Sequence, residues 1–187
     1  GYKATLRLGG ERLVDRALSR LGWLGEDRLV IARQGQTLAV EGARLVRDLA
    51  PYEGPLAGMA AALEAARSAW VLVVGGDLPL IQRGVVEAML ELAEGCQAVV
   101  PRLQVGLEPL HALYHASCLE ALYRALGRGE RRLSAFLQSL EVRYLEEEVI
   151  RAVDSALRSF FNINTPEDLE RAHALLAEEG MIQAKCP

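Results

Sequence analysis

With 187 residues, 51% of them hydrophobic, 25% charged and only 5% aromatic, the chain is the size of one domain and has enough aliphatic material for a real core. Global disorder and a pair of ordinary domains are both excluded. Its 21 Lys and Arg against 25 Asp and Glu give a net charge of -4, which excludes a general binder of nucleic-acid backbone and leaves room only for a local basic pocket. No apolar run approaches the roughly 18 to 20 residues of a bilayer span, and no basic start with an apolar stretch and a cleavage site reads as a secretory signal. A soluble protein with no membrane partner is expected. Cys96, Cys118 and Cys186 are odd in number, widely spaced and free of any CxxC pair, which fits a reducing cytoplasm and no zinc site.

The elements follow in chain order. A short run at 5–8 ends in Gly9-Gly10, and Leu13, Val14, Ala17, Leu18 and Leu21 then have the i, i+3, i+4 spacing of one apolar helix face. Residues 28–32 and 43–46 read as buried strands. Leu56, Met59, Ala60 and Leu63 mark the next helix, 70–74 the next strand, Val85, Val86, Met89 and Leu90 a further helix, and 98–101 a further strand. The second half is less regular, with strands expected at 112–114, 142–145 and 160–163 and helices at 119–126 and 133–140. Thr165-Pro166-Glu167-Asp168 supplies a capping hydroxyl, a proline for the first helical position and acids for the first turn, so a helix is expected from Pro166 to about residue 178. Strands apolar on both faces that alternate with amphipathic helices give an α/β class: a doubly wound, mostly parallel sheet in a single domain, 1–187.

In an open parallel sheet, ligands bind beyond the carboxyl ends of the strands. The strand 70–74 runs into Gly75-Gly76-Asp77-Leu78-Pro79, a lone carboxylate with room for a ligand to approach the backbone. Such a carboxylate suits Mg²⁺, which takes one or two carboxylates and fills its shell with water and phosphate oxygens; it is equally the Asp of a simple turn. Asp48 opens the second such loop, which passes through Glu53 into Gly54-Pro55-Leu56-Ala57-Gly58 and starts a helix whose free N–H groups could hold an anion. The same loop also reads as a helix cap with Gly58 for close packing. Lys3 alone reads as a surface charge. Asn162 and Asn164 flank Ile163, so both amides share one strand face, or else bond the backbone at a strand-to-helix junction. His111 and His115 fall in a strand run and are not read as a metal pair.

Taken in order, these pieces resemble one family. Gly1-Tyr2-Lys3-Ala4-Thr5-Leu6 is similar to the end of the nucleotidyltransferase signature LAGGxSxRMGxDKAxL. Gly54 to Gly58, Gly76-Asp77-Leu78-Pro79, Pro109 to Tyr114 and Phe160-Phe161-Asn162-Ile163-Asn164-Thr165-Pro166 then follow at the intervals of the molybdenum cofactor guanylyltransferases. That resemblance implies a Rossmann-like nucleotidyltransferase fold of the GT-A-like kind, and an enzyme that moves GMP from GTP onto molybdopterin with Mg²⁺ as cofactor. Partners implied are GTP, molybdopterin and other cofactor-assembly proteins. It assigns Lys3 and Asp77 to catalysis, Lys3, Asp48 and Asp77 to the nucleotide, Asp77 to the metal, and Asn162 and Asn164 to the acceptor. The strand and glycine-rich loop of the signature are expected upstream of Gly1. Gly75-Gly76 stands where members often have Pro-Cys, and Ala32-Arg33 where some place an Asn. A transferase using CTP, or a sugar or lactyl phosphate acceptor, is the alternative within the class, and a nucleotide-binding adaptor is the alternative outside it.

Overall fold

The computed structural model describes residues 6–183, and side chains as far as 178. Arg7–Leu8 (β1) and Glu11–Arg12 (β2) form an antiparallel hairpin around Gly9 and Gly10, whose φ angles are 59° and 84°. A type I′ two-residue hairpin turn needs both central residues at positive φ, which glycine adopts without steric cost. Then come α1 (Leu13–Arg20), β3 (Leu29–Ala32), β4 (Arg44–Arg47), α2 (Pro55–Ala65), β5 (Trp70–Val74), α3 (Arg83–Glu91), β6 (Ala98–Leu103), β7 (Gly106–Leu107) and β8 (His111–His115). The chain closes with α4 (Cys118–Gly127), α5 (Leu133–Leu137), β9 (Val142–Glu146), α6 (Glu147–Val153), a 3-10 turn at Arg158–Phe160 and α7 (Pro166–Gln183).

Strand direction follows from what connects the strands. Both β5 and β6 pair antiparallel with β8 and so run parallel to each other, and β9 pairs parallel with β6. The expected parallel direction thus holds for β5, β6 and β9. The sheet is nevertheless mixed, because β8 is reversed: the connection 104–110 is too short for the crossover that a parallel return requires. Short β7 folds back antiparallel on the end of β6.

Alternation along the strands builds two cores. Ala98, Val100, Ala112 and Tyr114 face Leu56, Ala60, Leu122 and Phe136 on one side. Val99, Leu113 and Leu145 face Val85, Val86, Met89 and Ile150 on the other. Helices α2, α4 and α5 therefore cover one face and α3 and α6 the other, which is the doubly wound arrangement expected. A third cluster, Leu8, Leu13, Leu80, Ile163 and Ala172, ties α7 and the 163 region to the end of β5.

Two expectations are corrected and one helix is added. Residues 160–163 are not a strand: Leu157 takes a left-handed φ of 53° and the 3-10 turn follows it, so the chain reaches Ile163 without joining a ladder. Helix α5 is shorter than the apolar spacing suggests, and α6 has no separate periodic signal because it continues directly from β9. Among the described strands, β3 and β5 are each paired on one side only. Between them lies a cavity of about 340 Å³ lined by Val30, Ile31, Leu72 and Val74, with Val14 and Leu18 of α1.

Candidate active site

The turn after β5 is built from backbone bonds that leave one carboxylate at the strand end. The Gly75 N–H donates to the Leu110 carbonyl (2.7 Å) and the Leu78 N–H to the Gly75 carbonyl (3.2 Å). Leu78, Leu80 and Ile81 are buried and anchor the exit, while Asp77 itself is half-buried. A Cβ on Gly75 would lie 2.9 Å from Asp77 Oδ1, so the carboxylate folds back over the glycine. This is the close approach for which the absence of a side chain matters.

The asparagine segment is bonded to this turn. The Ile163 N–H donates to the Asp77 carbonyl at 3.1 Å, and Ile163 is buried while Asn162 and Asn164 on either side are exposed. The expected alternation of the two amides is thus present without a strand. The helix junction is closed by a different residue: Asp168 Oδ2 accepts the N–H groups of Asn164 (3.0 Å) and Thr165 (2.9 Å), and Thr165 Oγ1 accepts the Asp168 N–H (3.1 Å). This reciprocal cap holds the Asp168 carboxyl below its ordinary value, chiefly through the Asn164 N–H.

Asp48 follows β4 and serves the neighbouring loop. Its N–H donates to the Ala32 carbonyl (3.0 Å), its Oδ1 accepts the Gln34 N–H (3.1 Å), and its carbonyl accepts Gln34 Nε2 (2.7 Å). The structure therefore brings Asp77 and residues 162–164 together, while Asp48 binds the chain that follows β3. Gly54, at φ 92°, turns the chain into α2 with Pro55 in the first turn and no side-chain cap. The leading N–H groups of α2 lack a side-chain acceptor, as an anion site requires. Gly58 is less demanding than expected, since a Cβ there would meet Ile31 Cγ2 at an ordinary 3.6 Å. Lys3 lies outside the described residues.

Two features escaped the sequence reading. Arg131 pairs with Glu53 at 3.8 Å, both well exposed. Such a pair adds little stability, but it sets a basic loop beside the entry to α2, and the clustering of Arg128, Arg131 and Arg132 was the available signal. His111 is fully buried at the β8 position opposite Val74. On a strand, His115 is about 13 Å further along, so the two cannot share a metal.

Among the described residues no three His, Cys, Asp or Glu side chains gather as a metal cage. The single carboxylate of Asp77 fits instead a hard cation completed by water and phosphate oxygens.

An α/β sheet with a carboxylate on a glycine turn at a strand end, and an amide-bearing segment bonded to that turn, presents these groups where open α/β sheets bind their ligands. Residues 1–149 match the model of the MobA-like NTP transferase domain, and the chain belongs to that family. It is 33% identical over 177 residues to the molybdenum cofactor guanylyltransferase of Desulfosudis oleivorans, a match covering 94% of this chain and 88% of that protein. Among solved structures it is similar to molybdopterin-guanine dinucleotide biosynthesis protein A from Archaeoglobus fulgidus, with a TM-score of 0.80 and 30% identity over 94% of this chain and 91% of that one. The 2-C-methyl-D-erythritol 4-phosphate cytidylyltransferase of Thermus thermophilus shares the fold, with a TM-score of 0.73 and 24% identity over 94% and 93% of the two chains.

Proposed function

We propose that this protein transfers GMP from GTP to molybdopterin and releases pyrophosphate. The observation that carries this reading is the bond from the Ile163 N–H to the Asp77 carbonyl, which ties the segment of Asn162 and Asn164 to the turn of the lone carboxylate. The guanylyltransferase relative and the likeness to the dinucleotide biosynthesis protein support the choice of donor and acceptor. An acceptor phosphate oxygen bonds to the α-phosphorus of GTP as the bond from that phosphorus to the pyrophosphate oxygen breaks, so the protein need only position and neutralise two polyanions.

Asp77 would hold Mg²⁺, which when bound supplies positive charge for the departing pyrophosphate. Lys3 adds an ammonium, Asp48 keeps the loop on the nucleotide side in place, and Asn162 and Asn164 donate to the acceptor. The slot between β3 and β5 supports a further strand bearing the glycine-rich loop, since an extended apolar segment there would pair with both open edges. The thiols of Cys96 and Cys118, both free, support a cytoplasmic setting.

Asp77→Asn in the intact protein tests the reading. Asn preserves the turn and removes the charge, so turnover should fall by two or more orders of magnitude, each tenfold being about 1.36 kcal/mol, with the melting temperature nearly unchanged. Near-normal turnover at saturating Mg²⁺ refutes the role of Asp77, and a preference for CTP over GTP in competition binding refutes the guanylyl assignment.

A further inference from the structure

We propose that His111 is a positioning residue which, as the neutral imidazole with its proton on Nδ1, pins Ser159 and so sets the asparagine segment against the Asp77 turn. The proposal rests on the functional reading above for the roles of Asp77, Asn162 and Asn164. The tautomer follows from the partner: Nδ1 lies 3.1 Å from the Ser159 carbonyl oxygen, which can only accept, so Nδ1 donates. Nε2 is then a bare acceptor, buried and with no partner among the described residues.

The surroundings would suit an apolar side chain. His111 is 0% exposed, and its ring lies against Phe160 with centroids 4.9 Å apart and planes tilted by 35°. An imidazole with one unpaired nitrogen is a costly filler for such a place. What it supplies, and Leu would not, is the third of three bonds on Ser159. The Ser159 N–H donates to Asp154 Oδ2 (2.8 Å), its Oγ accepts the Gln82 N–H (2.8 Å), and its carbonyl accepts from His111. Asp154 Oδ1 also takes the Arg158 N–H at 2.9 Å.

These bonds enclose the Asp77 turn. Its first residue, Gly75, is bonded to Leu110, the neighbour of His111, and Asp77 itself to Ile163. Gln82, just past the turn, is bonded to Ser159. The strand β8 and the segment 154–163 thus grip the turn from two sides, and His111 is the side chain that joins them. Burial draws the imidazole down to about 4, against the opposing pull of the Ser159 carbonyl bond and, after it, of Asp154, which keeps it neutral at ordinary pH.

The test compares His111→Leu, which removes the donor, with His111→Asn, whose amide can donate from near the Nδ1 position, in the full-length protein. The wild-type imidazole should show a protonated Nδ1 and a bare Nε2 by ¹⁵N NMR at pH 7. Below its melting temperature, His111→Leu should keep its GTP KM within about twofold while kcat/KM for the acceptor falls about tenfold or more, the scale of a sub-ångström misplacement. His111→Asn should recover to within about threefold of wild type. Hydrogen exchange at the Ile163 amide should quicken in the Leu variant and not in the Asn variant.

A bare Nδ1, a folded Leu variant with unchanged acceptor kinetics, or an Asn variant as impaired as the Leu variant overturns the proposal. If the Leu variant does not fold, the tautomer and the Asn variant decide it. Altered Ile163 exchange together with a fully active Asp77→Asn enzyme would retain the latch and refute the functional reading instead.

Discussion

Gly75→Ala separates the position of the Asp77 carboxylate from the stability of the fold. No left-handed φ is required at Gly75, and the atom an added methyl would strike is Asp77 Oδ1, 2.9 Å from the Cβ position. Ordinary contact begins near 3.4 Å, so the carboxylate must retreat by about 0.5 Å, the tolerance within which a catalytic constellation must be held. The atom displaced is the end of a side chain, not backbone, and the restricted unfolded chain gives back roughly 0.4 to 1 kcal/mol. The melting temperature should therefore stay within about 4 °C of wild type, while kcat falls about tenfold to a hundredfold. Pyrophosphate release from GTP and molybdopterin, measured across a Mg²⁺ titration beside a thermal melt, reads both quantities. A folded variant with wild-type kcat and an unchanged Mg²⁺ half-saturation would show that the reaction does not depend on where this carboxylate sits.

Local pattern made much of the architecture legible. The apolar runs at 29–32, 70–74 and 98–101 are strands because they are covered on both faces, and Thr165 with Asp168 caps α7 as its sequence implies. What the sequence could not convey was direction. Nothing in residues 111–115 distinguishes a parallel from an antiparallel strand, since both bury the same side chains; only the brevity of 104–110 decides it. The segment 160–163 shows the converse. Its alternation of Ile163 with two asparagines is real, but it arises from one buried anchor and a bond to Asp77, and a period of two does not require a ladder. The position of Asp77 in a turn just past a strand was legible. His111 was not, because a lone histidine in an apolar run carries no sign of the carbonyl it will meet 48 residues later.

Two further outcomes follow from the same bonds. Asn162→Ala or Asn164→Ala should raise the acceptor KM about tenfold to a hundredfold, the equivalent of roughly 1.5 to 3 kcal/mol for an amide bonded to a charged phosphate, and leave GTP binding by calorimetry near wild type; a loss confined to GTP would remove both from the acceptor side. The other outcome concerns acid stability. In the folded protein the His111 imidazole is drawn from 6.5 to about 4 by burial, so between those values the unfolded chain binds a proton that the native one does not, and stability declines as pH falls. The decline starts near pH 6.5, reaches about 2 kcal/mol by pH 5 and levels off at about 3 kcal/mol below pH 4. Carboxylates such as Asp168, whose value is lowered in the fold, begin to lose their contribution as pH falls through the ordinary carboxylate range, so they add to the decline only in the lower part of this window. Urea midpoints at pH 7 and pH 5 should therefore differ strongly for the wild type and little for His111→Asn, which has no proton to gain. Equal shifts in the two proteins would mean that His111 titrates alike in both states, and would contradict its burial as a neutral donor.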